Sequence, residues 1–297
     1  MIGRMSSAQM HQGNLNVIFD AQARLQKTQE ALATGKRVNS ASDDPVASAQ
    51  ITAIRAELSR LEVMQKNVNT AYDELAMTEA SLSSSEDLIS RAREIAVQGA
   101  NSVLGVADRA ILATEIDAIL DQMLKLSNTQ SPKGDFIFAG HSTDQPAFTQ
   151  IGGNIEFQGD DGQRTINIAG GVSLDVRQIG TDVFGEGEEG IFAVLQNLAG
   201  GLRADDDEII QRSIGRLDEC QQLMLEGITD LGSKMGLVED QQMLNEAFNI
   251  QLKETLSGLE DIDYAKAISD MNIQMVSLQA AQQAYVQTRD LNLFNYL

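Results

Sequence analysis

Residues able to do acid–base, nucleophilic or metal chemistry are few in this chain. It has two histidines, His11 and His141, and one cysteine, Cys220. A hydrolytic triad needs a nucleophile activated by an adjacent base. Neither histidine accompanies the Gly-x-Ser-x-Gly elbow that exposes a catalytic serine. The H-E-x-x-H spacing that puts two zinc ligands on one helical face is absent. Both histidines therefore read as surface or turn residues. Cys220 sits in a helical pattern, where a lone cysteine serves packing, and one cysteine cannot form an intramolecular disulfide. Gly35-Lys36 is a fragment of a phosphate loop, but the glycine required five residues upstream is missing and Arg37 follows the lysine. Asp160-Asp161-Gly162 and Glu186-Gly187-Glu188-Glu189 offer carboxylates to calcium without the twelve-residue spacing of an EF-hand, and read as turn acids. The expectation is a protein that is not an enzyme and has no cofactor and no metal site.

The elements that carry these residues point to a scaffold. Every seventh residue from Ile54 to Ile89 is a branched aliphatic: Ile54, Leu61, Val68, Leu75, Leu82 and Ile89. Seven residues are two helical turns, so these side chains form one stripe on a long rod, thickened by Ile51 and Leu58. The rod should run to roughly residue 98, before Gly99, about 80 Å at 1.5 Å per residue. With no Trp and three prolines in 297 residues, the composition suits helical rods. The net charge of −21 argues against nucleic acid, whose phosphates would be repelled. Residues 1–40 net +3 and residues 264–297 net zero, which leaves −24 in the middle. The acid-poor ends are expected to meet different surroundings from the middle. No apolar run is long enough for a cleaved secretory signal or a membrane span, so the expected chain stays in the cytoplasm or is exported uncleaved.

A first helix is predicted over 8–34, with Leu15, Ile18, Ala21, Leu25 and Leu32 near one face, stopped by Gly35. Ser40–Asp44 is a polar connector, Asp44 a helix cap and Pro45 a first helical residue. A third helix, about 107–127, carries Leu112, Ile116, Ile119, Met123 and Leu126 and should fold back along the rod. Strand-like runs follow at Phe136–Phe138, Ile155–Phe157, Thr165–Ile168 and Val172–Val176, spaced by turn residues. Helix resumes near Ile191. A last seam begins after Asp205-Asp206-Asp207 through Ile210, Ile214, Leu217, Gln221, Met224, Ile228, Leu231, Met235 and Val238, and returns at Leu252, Leu256 and Leu259. Its phase slips at Glu260–Asp263, and a new stripe runs through Tyr264, Ile268, Met271, Met275, Leu278 and Tyr285.

The expected fold is mainly α: a long antiparallel helical coiled-coil or bundle rod with a small inserted β-domain. Three domains are expected: 1–43 with 260–297 as a terminal helical domain, 44–140 with 190–259 as the rod, and 141–189 as a β-rich insert removable from the rod.

Leu32-Ala-Thr-Gly-Lys-Arg-Val-Asn-Ser-Ala-Ser-Asp-Asp-Pro-Val-Ala47 closely resembles the signature of bacterial flagellins and their relatives. Leu259–Asp270 is similar to its C-terminal counterpart, and the stretches Gly134–Phe148, Gln158–Arg164 and Gly180–Phe184 are similar to the hook–filament junction members of that flagellin-like family. Met1–Gln9 departs from the family's usual start. The resemblance implies a secreted, type III-exported flagellar subunit that polymerises at the hook–filament junction. It implies terminal helices that line a channel once assembled; helices of that length with one unpartnered apolar stripe are expected to be unfolded in the monomer. The stripes of the terminal helices are the expected assembly surface: Ile18, Leu25 and Leu32 with Ile268, Met271, Met275, Leu278 and Tyr285. The implied partners are copies of the chain itself, the other junction protein, flagellin and an export chaperone on the C-terminal helix, with no nucleic acid and no membrane. A minor flagellin and a cytoplasmic coiled-coil scaffold are the alternatives.

Overall fold

A computed structural model describes residues 7–290, and these divide into two compact units. Residues Met1–Gln9 include six that lie outside the described part, so the departure at the start has no structural counterpart here. In chain order the elements are α1 (Ser7–Thr34), α2 (Pro45–Gly99), α3 (Val106–Ser127), β1 (Phe148–Ile151), β2 (Asn154–Phe157), β3 (Thr165–Ala169), β4 (Val172–Asp175), the short α4 (Gly180–Phe184), a 3-10 turn (Gly187–Glu189), α5 (Ile191–Ala204), α6 (Asp207–Glu260) and α7 (Tyr264–Asp290). The chain is mainly helical, as its periodicity requires. One unit comprises Met1–Arg60 and Phe248–Leu297, the other Leu61–Ala247. These divisions fall inside α2 and α6.

In the Leu61–Ala247 unit the heptad stripe is the core. Val68, Leu75, Leu82 and Ile89 of α2 are fully buried with Leu217, Met224, Leu231 and Val238 of α6. The two helices run antiparallel, since Gln221 donates to Glu86 (2.6 Å) and Ser90 (3.1 Å) while Arg93, further along α2, pairs with Asp218. Asn245, a heptad step beyond Val238, places a buried amide in the seam. α3 folds back antiparallel on α2, as its spacing predicts: the Ser81 hydroxyl donates to the Leu126 carbonyl (2.9 Å) and Arg91 pairs with Glu115 (2.6 Å). Its opposite flank is covered by the apolar face of α5. Arg109, almost wholly buried, pairs with Asp205 (2.6 Å) and Asp207 (2.7 Å) and so fastens the tight turn from α5 into α6.

The inserted residues form two antiparallel hairpins, β1–β2 and β3–β4. β1–β2 turns on Gly152-Gly153, whose φ values of +62° and +101° only glycine adopts without strain. Phe136–Phe138 is not a strand. It is irregular backbone between Gly134 and Gly140, both at positive φ, and Phe138 points into the core as an anchor. β1 was not predicted as a strand. A removable insert is not what folds: Phe148, Ile168 and Val176 belong to the same buried cluster as Val68 and Leu75. Phe148 packs on Phe157, Phe184 and Phe192 at 5.3, 5.6 and 4.9 Å between ring centres. Arg164 reaches Glu74 (2.8 Å) and Gln178 reaches Asp230 (2.8 Å), fixing the hairpins to both rod helices.

Candidate assembly surface

In the other unit the chain breaks twice, and the breaks meet. Gly35 ends α1 with φ +72°, a left-handed conformation that favours glycine, and the Tyr264 hydroxyl lies against it. The Arg37 N–H donates to the Glu260 carbonyl (2.7 Å) and the Ile262 N–H to the Gly35 carbonyl (3.0 Å), a two-rung antiparallel clasp between the connectors. Asp43 accepts from the backbone of Asn39 and Ser40 and pairs with Lys27 (2.9 Å). The Lys27 contact first, then the Ser40 N–H, holds its carboxyl down at about 2. Asp44 caps α2 by accepting the Ala47 N–H (3.0 Å), and that bond chiefly lowers its pKa. Glu260 is buried, which pushes its pKa up, but Lys36 and Arg55 outweigh burial and leave it below the ordinary range. Both Glu260 oxygens accept from Arg55 at 2.7 Å. Val38, Ala47 and Ile51 are buried beside Leu256 and Leu259, a small core beneath the clasp.

Beyond the clasp, α1 and α7 run antiparallel. The Thr28 hydroxyl donates to Gln274 (2.9 Å), and the His11 and Tyr285 rings meet edge to face with centres 5.6 Å apart. His11 is thus a half-buried packing residue, while His141 is exposed. The residues expected to form the assembly surface are sorted by this pairing into two sets. Ile18, Leu25 and Leu32 of α1 with Met271, Leu278 and Tyr285 of α7 are half-buried and lie on the faces the two helices turn to each other. Ile268 and Met275 are exposed. The structure adds exposed apolar residues that the periodicity did not select: Val17 and Phe19 on α1, Ile273, Val276 and Val286 on α7. Ile273 and Val276 are 62% and 65% exposed, on the side of α7 turned away from Met271 and Leu278.

α7 therefore carries apolar residues on every side, interspersed with uncharged amides and hydroxyls, and α1 covers one side. A helix with exposed apolar residues on several sides and no charged face suits burial against other chains. From Met271 to Thr288 it carries no charged residue, its polar positions being Gln, Asn, Ser and Thr. Among the described side chains of α1 and α7, Ala267 alone is buried. No helix among the described residues is long and apolar enough to cross a membrane. No three His, Cys, Asp or Glu side chains among the described residues are grouped as a metal ion requires. Cys220 is buried, and burial first, then Glu219, pushes its thiol up to about 11, so it is protonated and poorly nucleophilic at neutral pH. What this surface can do is associate.

Residues 5–143 match the family model described as bacterial flagellin N-terminal helical region. Flagellar hook-associated protein 3 of Escherichia coli (strain K12) is 28% identical over 312 aligned positions, covering 98% of both chains. The protein so described from Salmonella typhimurium is 24% identical over 314 positions, again covering 98% of both. The crystal structure of the flagellar junction protein FlgL from Legionella pneumophila shares the fold, with a TM-score of 0.62 at 19% identity, covering 71% of this chain and 100% of that one.

Proposed function

We propose that this chain, a flagellin-like structural protein of the bacterial flagellum of the hook-associated protein 3 type, works as an adaptor subunit whose terminal helices polymerise into a ring between hook and filament. The observation that carries the reading is α7: exposed apolar residues on the side away from α1, no charge from Met271 to Thr288, and cover from α1 on one side. The α1–α7 seam is half-buried, so pairing alone removes little apolar surface from water. Two helices of 28 and 27 residues held by such a seam are marginal in isolation. Neighbouring subunits would complete the burial, coupling the folding of the ends to assembly.

In this reading residues 1–43 and 260–297 form the assembly domain and line the channel. Residues 44–140 and 190–259 form the rod, and 141–189 the β-rich insert. The partners are further copies of the chain, the other junction protein on the hook side and flagellin on the filament side. An export chaperone would cover the C-terminal helix, whose exposed apolar residues otherwise invite premature association. The chain would reach its place by export without cleavage.

Limited proteolysis with mass mapping tests this mechanism. The dilute monomer should yield a resistant fragment from about residue 45 to about residue 255, and assembled protein should protect both ends. Residues 1–40 surviving intact in the monomer would contradict coupled folding.

A further inference from the structure

Beside the clasp, the connector and the first turns of α2 enclose a cavity of about 210 Å³. Lys36 and Arg55 are the ionised residues that line it; Asn39, Ser48 and Thr52 contribute polar groups, and Ile51 forms an apolar floor. No carboxylate lines it. Glu260 answers both cations from outside the cavity, one negative charge for two positive. Of the other acids at the clasp, Asp43 pairs with Lys27 and Asp44 with Arg37, while Asp261, the bridge partner of Lys36, accepts from the Ser257 hydroxyl. A cavity walled by cations and polar groups over an apolar floor matches a carboxylate on a short aliphatic stem.

The source of such a group is abundant in the assembly. The middle of this chain nets −24, so each neighbouring copy presents carboxylates in excess of cations. We infer that the cavity beside the clasp seats an Asp or Glu side chain from a second copy of this chain, an inference that rests on the proposed polymerisation. The contact relieves two electrostatic problems together. It gives Lys36 and Arg55, which otherwise share Glu260, a second carboxylate, and it lets acidic subunits approach one another. It also ties the connector between α1 and α2, the segment where the ends would order, to the presence of a neighbour.

The test uses the full chain and two variants that leave the Arg55–Glu260 pair in place. Ser48→Leu fills the cavity, and Lys36→Gln removes one cation; circular dichroism establishes that each remains helical. Sodium glutarate, a stand-in for a glutamate side chain, is titrated at constant ionic strength against sodium chloride while the Lys36 and Arg55 resonances are followed. Saturable shifts in the wild type that vanish in Ser48→Leu are expected, together with a rise of tenfold or more in the critical concentration for assembly of both variants. Absence of saturable shifts, or Ser48→Leu assembling like the wild type, overturns the inference. A wild type that never assembles sinks the polymerisation reading itself, so the two failures are distinguishable.

Discussion

Val276→Asp separates assembly from folding. Val276 is 65% exposed on α7, on the side turned away from α1, so the isolated chain should tolerate the change within about 0.5 kcal/mol, as surface substitutions do. In the assembled state the same position is to be covered by a neighbour. Burying a valine fully is worth about 1.5 kcal/mol, and 65% of that surface remains to be buried, so about 1 kcal/mol of association energy is lost with the side chain. The carboxylate adds about 2 kcal/mol or more for a polar group buried without a partner. Each 1.4 kcal/mol is tenfold in an equilibrium constant, so about 3 kcal/mol should raise the critical concentration more than a hundredfold. Sedimentation velocity on wild type and variant, with unchanged circular dichroism in both, reads this directly. Assembly of Val276→Asp at wild-type concentration would show that this side of α7 faces solvent in the polymer, and the reasoning from its apolar circumference would fail. Leu278→Asp is a less selective probe, because Leu278 also belongs to the α1 seam and its loss would disturb the helix pair itself.

Other expectations follow from the core and its loops. Phe148→Ala removes a ring that touches three other phenylalanines, and should cost about 3–5 kcal/mol in urea unfolding of the full chain; a change below 1 kcal/mol would mean that the hairpins do not share the rod's core. Asp160 accepts from the His141 N–H, the Ser142 hydroxyl and the Gly162 N–H, and these hold its carboxyl down at about 2. A carboxylate lowered in the folded state lends stability above its unfolded value, near 4, and loses it as pH falls through about 2. The stability of the wild type relative to Asp160→Asn should therefore decline between about pH 4 and pH 2, and a difference independent of pH across that window would contradict it.

Much of the fold was legible because a seven-residue repeat leaves one helical face no choice. The stripe from Leu61 to Ile89 is buried residue for residue, and Gly35, Pro45 and the slip at Glu260–Asp263 mark breaks the backbone makes. The β-region was harder to read. Phe136-Ile137-Phe138 has strand composition, but positive-φ glycines at both ends bend the chain so that its rings serve as anchors. Phe148–Ile151 has apolar residues only at its ends and became a strand through pairing with Asn154–Phe157. The limit of periodicity is clearest in α7. Where apolar residues fall on every side of a helix, spacing cannot say which face meets α1 and which meets another subunit. Ile268 and Met275 therefore fell into one stripe with Met271 and Leu278, although the structure separates them, and Ile273 and Val276 were overlooked. The run without charge from Met271 to Thr288 was the available signal for all of them.

The central claim, a structural adaptor at the junction of hook and filament, is tested most directly by locating the chain on intact flagella. Immunogold electron microscopy with an antibody against the exposed hairpin residues should place label in one narrow band where hook meets filament. Label spread along the whole filament, or confined to the cytoplasm, would contradict the account.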